Sequence, residues 1–271
     1  MSIFELTISL IMKHLVFVLI SLTLVFSACN KKGCTDRSAE NYDEKARKDD
    51  GSCIHPDTVL PELPSSYSIK FPGEYAALIF RRKLVYTEKE TGWDDVLTKE
   101  GLAYFSTDGG ATYVNADSVK LEGYLLSKAA NNSYSLPSGS ANAVAHGAGM
   151  QWYARGAAWP GFNATTNKNF PIVGRIRSGD IPASKPYELT IDDQLNCDSL
   201  LFALHGPEKS VSYMVAADRH TFVFSYEDVI SVGLGKGYTQ VIGVTYEPQT
   251  LNGKAHWFIN QTERVKPALF Y

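Results

Sequence analysis

Three aromatic residues, Trp152, Tyr153 and Trp159, have the side chains best suited to ligand binding in this sequence. Aromatic rings exposed at the edge of a β-sheet stack against sugar rings, and Trp and Tyr are enriched among the residues that dominate binding energy at interfaces. The three residues are therefore the best candidates for a glycan-binding surface. The alternative is that Trp152 packs in a hydrophobic core and Trp159 covers the end of a sheet, as such residues do in β-sandwiches.

Catalytic motifs are absent from the sequence. It contains no H-E-x-x-H, G-x-S-x-G or S-x-x-K pattern and no phosphate-binding loop. The histidines that follow the apolar N-terminal segment stand singly, without the spacing of metal ligands: His55, His146, His205, His220 and His256. We therefore expect no enzyme. A site assembled from residues far apart in sequence would leave no motif, and that alternative stays open.

Cys29 ends a segment with the organisation of a secretory signal. Lys13 precedes an apolar run over residues 15–26, and two small residues stand directly before the cysteine. A basic start, an apolar core and small residues at the cleavage site are typical of signal peptides. The residues around the cysteine also resemble a bacterial lipobox, in which the cysteine thiol is acylated. We predict a signal peptide over residues 1–28 and lipidation of Cys29. Ordinary cleavage without a lipid is the alternative.

Two further cysteines, Cys34 and Cys53, bracket a short acidic segment. A signal peptide implies an oxidising compartment, where these two residues are the natural disulfide pair. Closing a loop of this size would contribute about 3 kcal/mol to folding. Cys197 lies beside a strand-like segment, and we expect it to be a free, buried side chain.

The segment between the two cysteines carries G-C-T-D at residues 33–36, N-Y-D at 41–43 and D-D-G-S-C at 49–53. It resembles the cysteine-bracketed module of many secreted Bacteroidetes-type proteins, which is grouped with thrombospondin type 3-like calcium-binding repeats. The resemblance implies a calcium site, because Ca²⁺ takes six to eight oxygen ligands. The ligands it implies are Asp36, Asn41, Asp43, Asp49 and Asp50. A disulfide-stapled spacer, in which the Asp side chains cap turns, explains the same residues.

The globular part of the chain also resembles uncharacterised Bacteroidetes-type lipoproteins. The residues that carry this likeness are Y-F-S-T-D-G at 104–109, N-A-D-S-V at 115–119, G-D-I-P at 179–182, N-G-K at 252–254 and F-I-N at 258–260. The resemblance covers most of residues 67–271. It implies an architecture and an envelope location, but no activity.

Strand patterns dominate the chain from residue 67 onward. Residues 75–87 are largely apolar but contain Arg81-Arg82-Lys83, which predicts a solvated basic strand edge. Residues 118–127 alternate apolar and polar side chains with the period of a half-buried strand. Asn252-Gly253 predicts a tight turn between the last two strands.

Strands of this length, separated by polar turns, predict an all-β fold. We expect two Ig-like antiparallel β-sandwich domains, residues 67–170 and 171–271. They follow the signal peptide, the disulfide-bracketed module of residues 29–54 and a linker of residues 55–66. The linker contains three prolines, which make it extended and semi-rigid.

The formal net charge of −3 gives no electrostatic reason to expect a nucleic-acid partner. We expect instead a lipoprotein of the cell envelope, anchored in the membrane by its lipid. Asn30, rather than Asp, follows the cysteine, which favours the outer membrane by analogy with lipoprotein sorting, on a face that the sequence does not decide. We expect a binding or structural protein without catalytic activity, whose partner is a protein or a glycan. The alternative is a glycan-binding sandwich lipoprotein that uses surface aromatics, and weakly bound calcium is the cofactor that the sequence suggests.

Overall fold

The structure is a computed structural model that describes residues 31–35, 37, 41–50, 52, 70–89, 92–145 and 147–271. The chain divides into two compact units, Met1–Val59 and Leu60–Tyr271. The predicted signal peptide, Cys29, Cys53 and the predicted linker lie outside the described residues. In the described part of the chain, no helix is long and apolar enough to cross a membrane.

The first unit contains short backbone bridges. Lys32 pairs with Lys48, and Cys34 pairs with Tyr42, both in parallel orientation. The backbone N–H of Asp43 donates a hydrogen bond of 2.9 Å to the carbonyl of Cys34. These contacts fold the acidic segment back on the residues that precede it.

The second unit is built from strands, which confirms the all-β prediction. One sheet has eight strands, which in chain order are β1 (Tyr75–Lys89), β2 (Gly92–Ser106), β5 (Ser127–Lys128), β6 (Tyr134–Ser135), β12 (Ser199–His205), β13 (Ser210–Ala216), β15 (Gly235–Leu251) and β16 (Lys254–Phe270). Their order across the sheet is β13-β12-β15-β16-β1-β2-β6-β5.

The other described strands form smaller sheets. A four-stranded sheet has the order β4-β3-β7-β8, with β3 (Ser118–Leu121), β4 (Tyr124–Leu125), β7 (Gln151–Arg155) and β8 (Phe162–Thr165). Two pairs complete the set: β9 (Ile172–Val173) with β11 (Gln194–Leu195), and β10 (Tyr187–Thr190) with β14 (Thr221–Phe224). Among the described residues there are also two short helices, Ser138–Ala143 and Tyr226–Ser231.

The long strands at the centre of the large sheet are buried on both faces. Successive side chains of a strand point to opposite faces, so the even-numbered residues of β1 define one face and the odd-numbered residues the other. We call these the first and the second face. Ala76 and Leu78 on the first face and Ala77 on the second are all fully buried. Burial on both faces explains why the sequence of β1 begins as a continuous apolar run.

Two hydrophobic clusters involve the first face. One contains Phe80, Phe105 and Trp152 together with other side chains from residues 76–170, and Phe258 also belongs to it. The other consists of side chains from residues 173–270. The predicted boundary near residue 170 thus falls between the two clusters.

One sheet nevertheless joins the two parts of the chain. β1 lies beside β16 in parallel orientation, from Tyr75 opposite Ala255 to Val85 opposite Val265. A third cluster, on the second face, combines side chains of β1, β12, β15 and β16. The sequence did not indicate this shared sheet, and the division of the unit into two Ig-like domains stays a prediction.

The Asn252-Gly253 turn is confirmed. Both residues have positive φ angles, 51° and 77°, and they connect Leu251 of β15 to its partner Lys254 of β16. Positive φ at both central positions is the type I′ geometry, whose twist matches that of paired strands. Glycine adopts this region without steric cost, and asparagine tolerates it better than most residues.

Candidate functional site

The three aromatic residues predicted to bind glycan do not share one exposed face. Trp152 and Trp159 are each 1 % exposed and belong to the first hydrophobic cluster, whereas Tyr153 is half-buried. This is a correction for the two tryptophans, because a ring enclosed in a core cannot stack on a sugar. Adjacent residues of β7 point to opposite faces, so Trp152 turned inward leaves Tyr153 turned outward.

Trp159 is held in the core by a buried hydrogen bond. Its indole Nε1–H donates to His256 Nε2 at 3.2 Å, and its ring lies 5.5 Å from that of Phe105. The other ring nitrogen of His256, Nδ1, bonds to the carbonyl oxygen of Lys254 at 2.9 Å. These partners fix a neutral imidazole, and burial lowers the pKa of His256. The contacts give Trp159 a structural role.

Tyr153 lines a shallow open depression on the outer face of the four-stranded sheet. The depression has a volume of about 190 Å³ and is lined by Lys120, Gly123, Gln151, Tyr153 and Asn163. β3, β7 and β8 position it, because Tyr153 lies directly opposite Lys120 on one side and Asn163 on the other.

The side chains around the Tyr153 ring supply an aromatic surface, an ammonium group and two amides. Lys120 Nζ lies 5.8 Å from the centre of the ring, and Gln151 Nε2 donates to Asn163 Oδ1 at 3.2 Å. Amides both donate and accept hydrogen bonds, and the ammonium donates three. This is a set of groups that matches the faces and hydroxyls of a sugar ring.

The depression owes its shape to a tight turn that the sequence analysis missed. Residues 118–127 were predicted to be one strand, but the chain reverses at Glu122 and Gly123, between β3 and β4. These two residues have φ angles of 49° and 80°. The prediction was wrong because the alternation of apolar side chains continues through the turn, which hid the positive-φ glycine within a strand-like pattern.

A row of polar side chains crosses the second face of the large sheet; five of them are buried, Lys83 and Glu100 are half-buried, and Ser210 is exposed. It runs from Ser210 at the edge strand to Glu100 on β2 and contains Ser210, His205, Gln240, Glu263, Lys83, Arg81, Gln261 and Glu100. We call this set the polar row. Glu263 and Gln261 are each at most 2 % exposed.

Hydrogen bonds connect one end of the polar row. His205 Nδ1 lies 2.7 Å from Ser210 Oγ, and His205 Nε2 lies 2.8 Å from Gln240 Oε1. Gln240 Nε2 in turn donates to Glu263 Oε1 at 2.8 Å. Because the amide oxygen of Gln240 accepts from Nε2–H, a neutral His205 accepts the Ser210 hydroxyl hydrogen on Nδ1. Burial lowers the pKa of His205, which keeps the ring neutral.

Charges connect the other end. Lys83 Nζ lies 3.3 Å from Glu263 Oε1, and Arg81 Nε donates to Gln261 Oε1 at 2.8 Å. Arg81 Nη1 also contacts Glu100 Oε2 at 3.2 Å. The predicted solvated basic edge is therefore wrong for Arg81, which is 6 % exposed in the interior of the sheet.

A serine beside a histidine raises the question of catalysis. In a hydrolase of this type, a carboxylate stabilises the imidazolium that forms during the reaction. Here an amide, Gln240, occupies that place, and burial disfavours the charged ring. Each member of the polar row already has a partner, so we assign the row to the stability of the sheet. No local sequence motif predicted the polar row, because its members come from six strands.

Two aspartates of the acidic segment, Asp43 and Asp50, accept local bonds with their carboxylate oxygens. Asp43 Oδ1 accepts from the backbone N–H of Lys45 at 3.0 Å, and Asp43 Oδ2 pairs with Lys31 Nζ at 2.6 Å. Asp50 Oδ1 accepts from the backbone N–H of Ser52 at 3.0 Å. The hydrogen bond from the Lys31 side chain lowers the pKa of Asp43. The hydrogen bond from the Ser52 side chain, followed by that from its backbone N–H, lowers the pKa of Asp50.

These contacts are the turn-capping arrangement that was the alternative to calcium binding. Among the described residues no three acidic, histidine or cysteine side chains are grouped to hold a metal ion. Asp36 lies outside the described residues, so the calcium site stays a prediction. Cys34 is buried, at 1 % exposure, and its pairing with Cys53 also stays a prediction. Cys197 is a free, half-buried thiol whose pKa burial raises to about 11.

No protein-family model matches the chain, and no curated protein matches it.

Proposed function

We propose that this chain is a lipid-anchored protein of the cell envelope that binds a glycan through the depression around Tyr153. The observation that supports the proposal is an accessible tyrosine ring set between an ammonium group and amides on an open sheet face. The side chains that line the depression do not include a nucleophile paired with a general base, so the proposed function is binding and not catalysis.

The size of the depression limits what it holds. Pockets that enclose a drug-sized ligand measure roughly 300–1,000 Å³. At about 190 Å³, the depression fits one sugar ring of a longer chain. An open site that binds one ring suits a glycan whose other rings extend across the sheet.

The membrane anchor and calcium belong to the same proposal. Support for the anchor comes from the lipobox-like residues before Cys29, and anchoring through lipid would bring the globular unit to the envelope. Calcium bound in the acidic segment would stabilise that segment. It would not be a ligand-binding group of the depression, because the depression is lined by residues of the second unit.

Affinity electrophoresis in gels that contain soluble polysaccharides tests the glycan proposal. A polysaccharide that binds should retard the wild-type chain, and Tyr153→Ala should migrate as it does in a gel without polysaccharide. Tyr226→Ala is the matched control, because Tyr226 is 43 % exposed but lies in a short helix outside the four-stranded sheet. Equal retardation of the wild type and Tyr153→Ala would contradict the proposal.

A further inference from the structure

Arg82 is a half-buried arginine with no acidic partner among the described residues. Its Nε atom is buried and has no hydrogen-bond partner, and its guanidinium carbon lies 5.8 Å from the centre of the Phe170 ring. Within the described part of the chain, Arg82 takes part in no ion pair. A charge held partly out of water is costly unless an opposite charge lies beside it.

Two of the other cations on the first face lie close to Arg82 along the strands. Lys99 of β2 lies directly opposite Arg82, and Arg264 of β16 lies opposite Leu84, two residues along β1. Burial, followed by the positive charge of Arg264, lowers the pKa of Arg82. The two arginines are thus close enough to repel each other.

The partners of these two cations are one carboxylate and three backbone carbonyls. Arg264 Nη1 pairs with Asp95 Oδ2 at 2.6 Å, and Arg264 Nε donates to the carbonyl of Val173 at 2.8 Å. Lys99 Nζ donates to the backbone carbonyls of Val144, at 2.7 Å, and Asn142, at 3.3 Å. Carbonyl oxygens carry no net charge. Among the described residues, Arg264 thus has a carboxylate partner in an ion pair, whereas Arg82 and Lys99 have none.

The cations lie where the first two hydrophobic clusters meet. Phe170, beneath Arg82, belongs to one cluster, and Val173, which binds Arg264, belongs to the other. On the same face, Leu84 is half-buried and its cross-strand partner Leu97 is 38 % exposed, so the site is open to solvent on that side. This location differs from the Tyr153 depression, and the inference does not rest on the proposed function.

We propose that Arg82 binds a phosphate group at this position, in the field of Lys99 and Arg264. A guanidinium presents its N–H donors in a planar fork that matches two phosphate oxygens. A phosphate monoester carries a charge of roughly −1.5 to −2 near neutral pH, which suits these cations better than a monoanion does. Free inorganic phosphate and the phosphate of a larger ligand share this chemistry.

Isothermal titration calorimetry on the full chain, at constant ionic strength, tests the site with three probes. Inorganic phosphate should bind, and acetate should bind at least tenfold more weakly because it carries one charge. Methyl phosphate distinguishes the sources: affinity equal to that of inorganic phosphate indicates a site for a phosphate monoester, and loss of affinity indicates a site for the free ion. Absence of phosphate binding, or equal affinity for acetate, would overturn the proposal.

Variants locate the binding. Arg82→Gln should weaken phosphate binding at least tenfold, while Arg155→Gln, at an exposed arginine of β7, should leave it unchanged. Arg82→Lys is the second variant, for the case in which Arg82→Gln does not fold. It keeps the charge and the apolar stem but loses the planar fork of donors, so its affinity for phosphate should be about threefold or more weaker. If phosphate raised the melting temperature of the wild type and of Arg82→Lys by the same amount, that result would contradict the role of Arg82.

Discussion

At the scale of single residues, His205 and His256 make the stability of the fold depend on pH. Both rings are buried, and burial lowers the pKa of each below its ordinary value of 6.5. The unfolded chain therefore binds more protons than the folded chain just below pH 6.5. By linkage, the stabilisation is complete above that pH and is lost as the pH falls toward the folded-state pKa values.

Urea unfolding at a series of pH values checks this prediction. The free energy of unfolding should decrease between pH 7 and pH 5, by at most about 1.4 kcal/mol per pH unit for each histidine. His256→Gln should reduce the slope by about half, because one of the two groups is removed. A stability that is constant or rises on acidification over this range would show that the rings are not held neutral.

Some residue-scale features were readable from the sequence and others were not. Trp152 and Tyr153 are neighbours in a strand, so they could not both lie on one exposed face, and the alternation rule alone was enough to separate them. Trp159 lies in the connection between β7 and β8, where no period applies. Its burial depends on His256, which is far away in sequence. Only tertiary contacts could place it.

At the scale of elements, the polar row makes Glu263 the centre of the large sheet's electrostatics. Its carboxylate lies 3.3 Å from Lys83 Nζ and 3.9 Å from Arg81 Nε, and its side chain is 3 % exposed. Glu263→Gln would leave the half-buried Lys83 without its carboxylate, and Arg81 with Glu100 as its remaining carboxylate partner. Removing one partner of a buried ion pair typically costs about 3–5 kcal/mol.

A double-mutant cycle measured by urea unfolding tests this expectation. Glu263→Gln combined with Lys83→Met should be less destabilising than the sum of the two single changes, because the second change removes the charge that the first leaves unpaired. Asp192→Asn is the matched control, since Asp192 pairs with Arg177 at an exposed site, and stability should hardly change. Additive effects of Glu263→Gln and Lys83→Met would mean that the two side chains are not coupled.

The boundaries of the elements show what local patterns can indicate. The sequence predicted the turn at Asn252-Gly253 correctly, because this pair has few uses other than a type I′ hairpin. The strands on either side, β15 and β16, are 17 residues long each, far longer than expected. Their buried polar residues, such as Gln261 and Glu263, interrupt the apolar pattern. A polar side chain satisfied by a distant partner looks like the end of a strand in a single sequence.

At the scale of the whole molecule, the shared sheet makes the two parts of the second unit depend on each other. β1 of the first part pairs with β16 of the second over eleven residue positions, from Tyr75 opposite Ala255 onward. The sequence could not indicate this pairing, because the strands are separated by most of the chain. The two predicted sandwiches should therefore not fold as separate fragments.

Expression of residues 67–170 and 171–271 as separate chains checks this. Each fragment should lack a cooperative unfolding transition in circular dichroism, since each exposes an edge and apolar side chains that the other covers. The intact segment 67–271 serves as the control and should unfold cooperatively. A fragment that folds alone would support two independent domains.

The proposed anchor also belongs to this scale. Cells grown with a labelled fatty acid should incorporate the label into the wild-type chain, and Cys29→Ala should abolish it, because the thiol is the predicted acylation site. Cys197→Ala should keep the label and is the matched cysteine control. The labelled chain should fractionate with the outer membrane. An unlabelled wild-type protein recovered from the medium would contradict the anchor.

The central claim is glycan binding at Tyr153, and a glycan array probed with and without calcium tests it most directly. The wild-type chain should bind the same glycans in calcium and in chelator, because the depression is lined by Lys120, Gln151 and Asn163 and contains no acidic side chain among its lining residues. Tyr153→Ala should bind none of them. Binding that requires calcium and survives Tyr153→Ala would contradict the claim and place the site in the acidic segment, and an array without any bound glycan would contradict it as well.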